Sequence, residues 1–438
     1  MNRLTLHNTA PLHGRVRVPG DKSISHRALL LGALAEGTSQ VSGFLPCGDC
    51  LATLACLRAL GVEIETDSQT ALTIHGRGLR GLQAPTWDEN SRAATPLNCA
   101  RSGTTMRLLA GILAGQPFES TLNGDEQLLR RPMRRIVEPL RRMGAEIEDV
   151  DGHAPLTIRG RRLRGCDHTL PIASAQVKSA LLLAGLYADG PTTVRQPGPA
   201  RDHTERMLAG MGAAIETTGL TITLSPATSL APFSLRVPGD VSSAAFPLVG
   251  AALVPGSEVT IEGMGINPTR TGLLDVMEAM GAEIALGDER EGESEALADV
   301  TIRATELRGI EVGGETVVRM IDEFPALAVA ATQAHGTTVV RDAAELRVKE
   351  TDRIATLVAG LRALGARIEA LPDGFIIEGP TPLHGGVVDS HGDHRLAMAL
   401  AVAGLVAEGA VVIENAECID DSFPGFVELM QKVGAVYD

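Results

Sequence analysis

The sequence predicts an α/β protein of two similar domains, each built from three repeated units. Three observations carry that expectation. The pentapeptide RVPGD occurs twice, in RVPGDKSISHR (17–27) and RVPGDVSSAAF (236–246), half of the 438-residue chain apart. Six segments share one template: LRALGVEIE (57–65), LRRMGAEIE (140–148), LAGMGAAIE (208–216), VMEAMGAEI (276–284), LRALGARIE (361–369) and LMQKVGAVY (429–437). Their glycines, Gly61, Gly144, Gly212, Gly281, Gly365 and Gly434, pair first with fourth, second with fifth and third with sixth at nearly one separation, so three units are duplicated.

In each segment an apolar helical face ends at a Gly, the residue that tolerates the left-handed turn closing a helix, and a short alternating strand follows. The first five continue into a second strand, as in ALTIHG (71–76), PLTIRG (155–160) and GFIIEG (374–379), which reads as a helix feeding a β-hairpin. The spacing of about 70–85 residues is too long for a solenoid. The sixth unit reaches Asp438 before any hairpin partner, while RLTLHN (3–8) and GRVRVP (14–19) are strand-like segments ahead of the first helix. The N-terminal strands are therefore expected to complete the last unit. This gives one domain over 21–239 and a discontinuous one over 1–20 plus 240–438, with crossovers at the two PGD turns near Gly20 and Gly239. Two contiguous halves are the alternative.

Composition bounds the function. Apolar content of 44% and charged content of 21% fit a globular core. There is no run of about 18 apolar residues to span a bilayer, and MNRLTLHNTAPLHG has no apolar stretch long enough for a signal peptide. Six cysteines are too few for a disulfide scaffold, so reduced thiols and a cytoplasmic location are expected. A net charge of −15 argues against nucleic acid or an anionic membrane as partner, and 3% aromatics leave little for base stacking. Local basic clusters still dominate inside a cleft, because charges are screened over about 8 Å. A small anionic molecule is the expected partner.

Polar patches recur at predicted helix starts. Pro19-Gly20-Asp21-Lys22-Ser23 precedes an apolar helix; capping explains Asp21 and Ser23, and their counterparts Asp240 and Ser242, but leaves Lys22 and Arg27 without a role. A helix N-terminus attracts anions, though holding a phosphate ester calls for full charges as well. In RDAAELRVKETDR (341–353), Lys349 and Arg353 are four apart, so one helix face would present both, with Glu350 beside them; a solvated, self-paired helix is the other reading. Asp322 and Glu323 stand before the apolar helix of 324–334, where capping accounts for one carboxylate. Asp393, His394 and Arg395 precede another, to cap it or to contact an anion. Ser174 and Gln176 offer hydrogen bonds suited to hydroxyls, Gly103 allows close backbone approach, and LLRRPMRR (128–135) is a basic turn. Cys47-Gly-Asp-Cys50 lacks the second pair a zinc site needs, and DSHGDH (389–394) lacks further ligands at a supporting spacing. There is no Walker A motif and no GxGxxG after a strand. Duplicated domains would aim these helix starts at one shared cleft, suited to a substrate carrying phosphate and carboxylate.

Taken in order, PGDKSISHRALLLGALAEG, SGTTMRLLAG, RRPMRRI, LPIASAQVKSALLLAGL, ARDHTERML, VPGDVSSAAF, ELRVKETDRI and GDHRLAMALAVAG resemble the 5-enolpyruvylshikimate-3-phosphate synthases over almost the whole chain. The resemblance implies transfer of the enolpyruvyl group of phosphoenolpyruvate to the 5-hydroxyl of shikimate 3-phosphate, on the way to chorismate and the aromatic amino acids, with no cofactor and no metal. It implies a monomer of two domains, each of three βαβαββ units arranged as an inside-out α/β barrel, closing over the substrates. By the same resemblance Lys22, Ser23, Arg27, Ser174, Gln176, Arg201, Asp322 and Lys349 contact shikimate 3-phosphate. Lys22, Gly103, Arg131, Gln176, Arg353 and Arg395 match the phosphoenolpyruvate site. Asp322 matches the proton acceptor from the 5-hydroxyl and Glu350 the proton donor to the methylene, with Lys22 also catalytic.

Three positions depart from the family pattern: Ala175 where some members carry a second Ser, Arg101 where Asn is usual, and Asp421 where some carry a phosphate-binding Lys, with Lys432 nearby in sequence. In this family glyphosate competes with phosphoenolpyruvate, and Gly103 leaves room where insensitive members carry an Ala methyl. The nearest enzymatic rival, transfer to UDP-N-acetylglucosamine, is associated with Lys-Asn where this chain has Lys22-Ser23, and with a loop Cys. A non-catalytic anion-binding protein would not be expected to keep both Asp322 and Glu350.

Overall fold

A computed structural model describes residues 2–7, 9–88 and 93–437. The chain divides into two compact units, one of residues 22–237 with 292–295, the other of 1–21, 238–291 and 296–438. In the first unit, Ser234–Arg236 runs parallel to Thr38–Ser42, which pairs antiparallel with Ala71–His75, itself antiparallel to Glu63–Ser68. Two further sheets repeat this order: Leu97–Asn98, Glu119–Asn123, His153–Arg159 and Glu146–Val150, then Asp167–Thr169, Thr192–Arg195, Thr221–Leu224 and Ile215–Thr218.

The second unit builds two sheets the same way, from His13–Val16, Glu258–Gly265, Ala296–Arg303 and Glu283–Glu291, and from Glu311–Val312, Gly336–Val340, Gly374–Gly379 and Arg367–Leu371. Its third sheet joins His384–Asp389 in parallel with Glu408–Glu414, which pairs antiparallel with Arg3–Leu6. Tyr437, just past Gly434, bridges to Leu6 and stands where the other sheets have their fourth strand. Position 8, the end of the expected first strand, lies outside the described residues. The other N-terminal strand departs from expectation: His13–Val16 joins the sheet of the fourth unit rather than the sixth.

The repeat has a local cause. All six template glycines adopt positive φ, from +82° at Gly61 to +111° at Gly434, a conformation costly for any residue with a Cβ. Each therefore stops its helix and turns the chain into the strand that follows.

The barrel implied by the family resemblance is not formed. The described sheets are separate, six mixed ones of three or four strands and one antiparallel pair, and none closes on itself or curls strongly. The physical reason lies in strand number and edge chemistry. About eight strands are needed before side chains can fill a barrel, whereas each sheet here ends after four or fewer at an edge such as Glu63–Ser68, which is exposed at all but one position. Helices supply the core instead. Val241–Leu253, Phe324–Gln333 and His394–Gly404 are apolar almost all round and buried along nearly their whole length, as helices inside a core must be. No described helix is long and apolar enough to cross a membrane.

The two PGD turns meet. Gly20 and Gly239 form an antiparallel bridge, Asp21 N donates to Pro238 O (2.8 Å) and Asp240 N to Pro19 O (2.9 Å). Beneath them Arg270, buried, lies 2.8 Å from Asp240 Oδ1 and 3.6 Å from Asp21 Oδ2. Asp240 also caps its helix, accepting from Ser242 N at 3.0 Å. Burial, reinforced by Asp21, raises the Asp240 carboxyl to about 6 against the pull of Arg270 and Arg395. The folded state then holds a proton that the unfolded chain has released, so wild-type stability falls as pH rises from about 4 to about 6. Asp240→Asn has no such loss. Urea unfolding at pH 4.5 and 7 is expected to show the variant gaining on wild type by about 2 kcal/mol; an unchanged difference would contradict the assignment.

Candidate active site

In the unit of residues 22–237, the helix Lys22–Leu34 opens with three sequence-predicted ligands. Arg27 is 3% exposed, and its guanidinium donates from Nε to Thr204 Oγ1 (2.7 Å), from Nη1 to Ser23 O (2.9 Å) and from Nη2 to Ser179 Oγ (2.8 Å). These three hydroxyl and carbonyl oxygens orient the fork. Arg201 Nη1 donates to Ser23 Oγ at 3.3 Å, which brings Ser23, Arg27 and Arg201 together. Lys22 Nζ lies 3.2 Å from Asp49 Oδ2, both side chains being mostly but not wholly buried.

A second group gathers at the start of helix Gly103–Leu113. Ser102 caps it, accepting from Thr105 N at 3.1 Å. A Cβ on Gly103 would lie 2.8 Å from Arg107 Nη1 and 3.3 Å from Arg131 Nη1, so the bare backbone fits under two guanidinium groups. Arg107 also donates to Gln176 Oε1, while Gln176 Nε2 donates to Thr104 Oγ1 at 2.9 Å. Ser174 caps helix Ala175–Gly185 by accepting from Val177 N at 3.4 Å, and Ala175 is that helix's first residue. Arg101 forms an ion pair with Asp125, 2.9 Å from Nε to Oδ2. Cys47 and Cys50 are buried free thiols, Cys50 Sγ lying 3.8 Å from Lys22 O.

In the other unit the acidic and basic predictions converge. Asp322 Oδ1 lies 3.5 Å from Lys349 Nζ and 3.3 Å from Arg353 Nη1; Arg353 Nη2 is 2.5 Å from Glu350 Oε2, and its Nε is 2.8 Å from Asp393 Oδ2. Burial opposes the Arg353 charge, but Asp393, Glu350 and Asp322 outweigh it and hold the guanidinium above its ordinary value. Burial pulls the Lys349 ammonium below its usual range, with Asp322 working the other way. Arg395 is buried at the head of helix His394–Gly404, where its backbone N–H is capped by Asp393 Oδ1 at 3.0 Å. In DSHGDH, Asp389 accepts from Asn415 Nδ2 at 2.8 Å. Asp421 closes the 3₁₀ turn Ala416–Asp421, and Lys432 is exposed at the end of helix Phe426–Lys432.

Two local readings are corrected. Lys349 and Arg353 do not share a helix: Lys349 follows the 3₁₀ turn Ala344–Val348, and a new helix starts at Arg353, capped by Asp352 accepting from Ala355 N at 3.0 Å. They reach Asp322 from different elements. Glu323 stands at the N-cap position without capping; it accepts from Ser242 Oγ and lies 3.8 Å from Arg270 Nη1. Sequence reasoning missed Asp49, Thr104, Arg107, Ser179 and Thr204. Arg107 carried a readable signal, a single cation inside the apolar run MRLLAGIL, and it is 1% exposed.

The sequence profile of the EPSP synthase (3-phosphoshikimate 1-carboxyvinyltransferase) family matches residues 6–430. The chain is 54% identical over 438 residues to a 3-phosphoshikimate 1-carboxyvinyltransferase of Acidithiobacillus ferrooxidans, covering 100% of this chain and 99% of that one. It is 51% identical over 432 residues to a protein of the same description from Brevibacillus brevis, covering 98% and 99%. A solved EPSP synthase from Acinetobacter baumannii superposes with a TM-score of 0.88 at 45% identity, over 100% of this chain and 99% of that one. The enolpyruvyl transferase NikO from Streptomyces tendae shares the fold, with a TM-score of 0.80 at 22% identity over 100% and 98%. With a family match across nearly its whole length and relatives more than half identical, the chain belongs to the EPSP synthase family, the 3-phosphoshikimate 1-carboxyvinyltransferases.

Proposed function

We propose that the transfer of an enolpyruvyl group from phosphoenolpyruvate to the 5-hydroxyl of shikimate 3-phosphate is carried in this chain by Asp322, Glu350 and Lys22. The observation that carries this reading is the Arg353 cluster, in which one buried guanidinium contacts both Asp322 and Glu350. A base and an acid on one cation suit a reaction that removes a proton from one substrate and adds one to the other.

Glu350, protonated, delivers its proton to the methylene carbon of phosphoenolpyruvate, leaving C2 electrophilic. The 5-hydroxyl oxygen bonds to C2 as its proton passes to Asp322. The resulting tetrahedral adduct carries a methyl group, a phosphate and the new ether. The C2–O bond to phosphate then breaks, the proton held by Asp322 ending on the departing phosphate, while Glu350 takes a proton back from the methyl; this restores the double bond, gives inorganic phosphate and returns both carboxyl groups to their starting states. The enol double bond and the phosphate leaving group are supplied by the substrate, so the scheme requires no cofactor.

Ser23, Arg27, Ser174, Arg201 and Lys349 bind shikimate 3-phosphate, whose phosphate suits the fork of Arg27 and Arg201. Gly103, Arg131, Arg353 and Arg395 bind phosphoenolpyruvate, with Lys22 and Gln176 touching both. Holding two anions in line is worth about 7–11 kcal/mol where alignment is good. Six free thiols suit the cytoplasm.

Gly103→Ala is expected to relieve inhibition by glyphosate, because the new methyl displaces Arg107 and Arg131. The concentration for half-inhibition is expected to rise about tenfold or more, the scale of one methyl group in a tight pocket. Inhibition assays at fixed phosphoenolpyruvate check this, and equal sensitivity of the two proteins would count against the placement of Gly103. The function itself is tested by phosphate release. Release is expected with phosphoenolpyruvate and shikimate 3-phosphate together, and not with either alone or with UDP-N-acetylglucosamine as acceptor.

A further inference from the structure

Lys178 lies in the middle of the apolar helix Ala175–Gly185, and its side chain is 1% exposed. Its ammonium is 2.6 Å from Glu205 Oε1 and donates to Ala200 O at 3.1 Å. Glu205, in helix His203–Gly210, is itself buried. A buried ion pair is a costly way to fill space, since an apolar pair of similar volume is often as stable or more so. What the ion pair adds is direction, and here it has a specific object. Ala200 precedes Arg201 in a stretch, 196–202, with no regular secondary structure. The neighbouring residues on the same two helices form a parallel contact: Ser179 Oγ and Thr204 Oγ1 are 2.7 Å apart, and both accept from Arg27. Residues 178 and 179 thus meet 205 and 204 in consecutive pairs, one pair orienting Arg27 and the other holding the backbone next to Arg201.

We infer that Lys178 and Glu205 are positioning residues for the shikimate 3-phosphate site, fixing the Ala200 carbonyl so that Arg201 meets the same phosphate as Arg27. Neither touches substrate. The inference rests on the assignment of Arg27 and Arg201 proposed above. It makes the pair a determinant of affinity for one substrate only: the Gly103 and Arg131 group contacts neither Lys178 nor Glu205 in the hydrogen bonds and ion pairs described.

The test is the double variant Lys178→Met with Glu205→Gln, which removes both charges at nearly constant volume and leaves no buried ion unpaired. Thermal unfolding is expected within a few degrees of wild type. The dissociation constant for shikimate 3-phosphate, measured by calorimetry, is expected to rise tenfold or more. KM for phosphoenolpyruvate at saturating shikimate 3-phosphate is expected to stay within about twofold. A merely structural pair would move both constants or neither, and either result overturns the inference, as does a folded double variant that binds shikimate 3-phosphate normally. Arg201→Met separates the two levels. If it weakens binding and the double variant does not, the positioning role fails alone; if it too leaves binding unchanged, the site assignment fails. Should the double variant not fold, Glu205→Gln alone, isosteric and still able to accept from Lys178, is expected to raise the dissociation constant at least threefold, and no change would overturn the inference.

Discussion

Asp322→Asn lowers kcat by about two to four orders of magnitude, the usual contribution of a positioned general base, while both substrates still bind. The amide fills the same volume but cannot take the proton of the attacking hydroxyl. Binding survives because Lys349 and Arg353, 3.5 and 3.3 Å from the carboxylate, keep their positive charges. Glu350 and Asp393 still pair with Arg353, but removing one of its three anions exposes these cations more fully to phosphate and carboxylate groups, so KM for each substrate is expected to be unchanged or lower. That split between kcat and KM distinguishes a lost base from a collapsed site. Steady-state kinetics at varied concentrations of each substrate check it, and a variant with near-wild-type kcat would remove Asp322 from the chemistry.

Lys22→Met lowers turnover at least a hundredfold without unfolding the protein. The thioether keeps most of the apolar stem and deletes the charge. Loss of one electrostatic stabiliser in a dry site costs about 2.7–4 kcal/mol of transition-state stabilisation, which sets the hundredfold floor. Some stability is expected to be lost, because Asp49, mostly buried, gives up this ion pair, but the solvent contact that both side chains keep holds the loss short of unfolding. The second PGD copy supplies the natural contrast. Val241 occupies the position of Lys22, is 3% exposed and packs in the core, so that helix start is structural where the first is proposed to be catalytic. Near-wild-type turnover in a folded Lys22→Met enzyme would return Lys22 to the surface.

What the sequence made legible was mostly local. Gly61 and its five counterparts announced the repeat because a helix ending at a left-handed Gly, followed by alternating residues, is specified within about ten positions. Partners brought from a distance were not legible in that way. His13–Val16 reads as a strand, but nothing in it names Glu258–Gly265 as its neighbour. Sheet closure is likewise a property of whole sheets, and the barrel carried over from the family resemblance fell on that point. At the site, charged residue types were visible and their second contacts were not. Arg353 was found from its motif, while the grip of Asp393 on it depends on packing across 40 positions of sequence. The break between Lys349 and Arg353 had a readable cause in Asp352, an N-cap residue that a run of charges concealed.

In a reaction that proceeds by addition and elimination, Glu350 adds a proton to the methylene carbon and later removes one. Turnover in D₂O tests this most directly, with the enolpyruvyl methylene of product and of recovered phosphoenolpyruvate examined by mass spectrometry and proton NMR. A transient methyl group must exchange, so deuterium is expected at that carbon in wild-type product and is expected to be lost, with turnover, in Glu350→Gln. Product formed in D₂O by the wild-type enzyme with no deuterium at the methylene carbon would contradict the account.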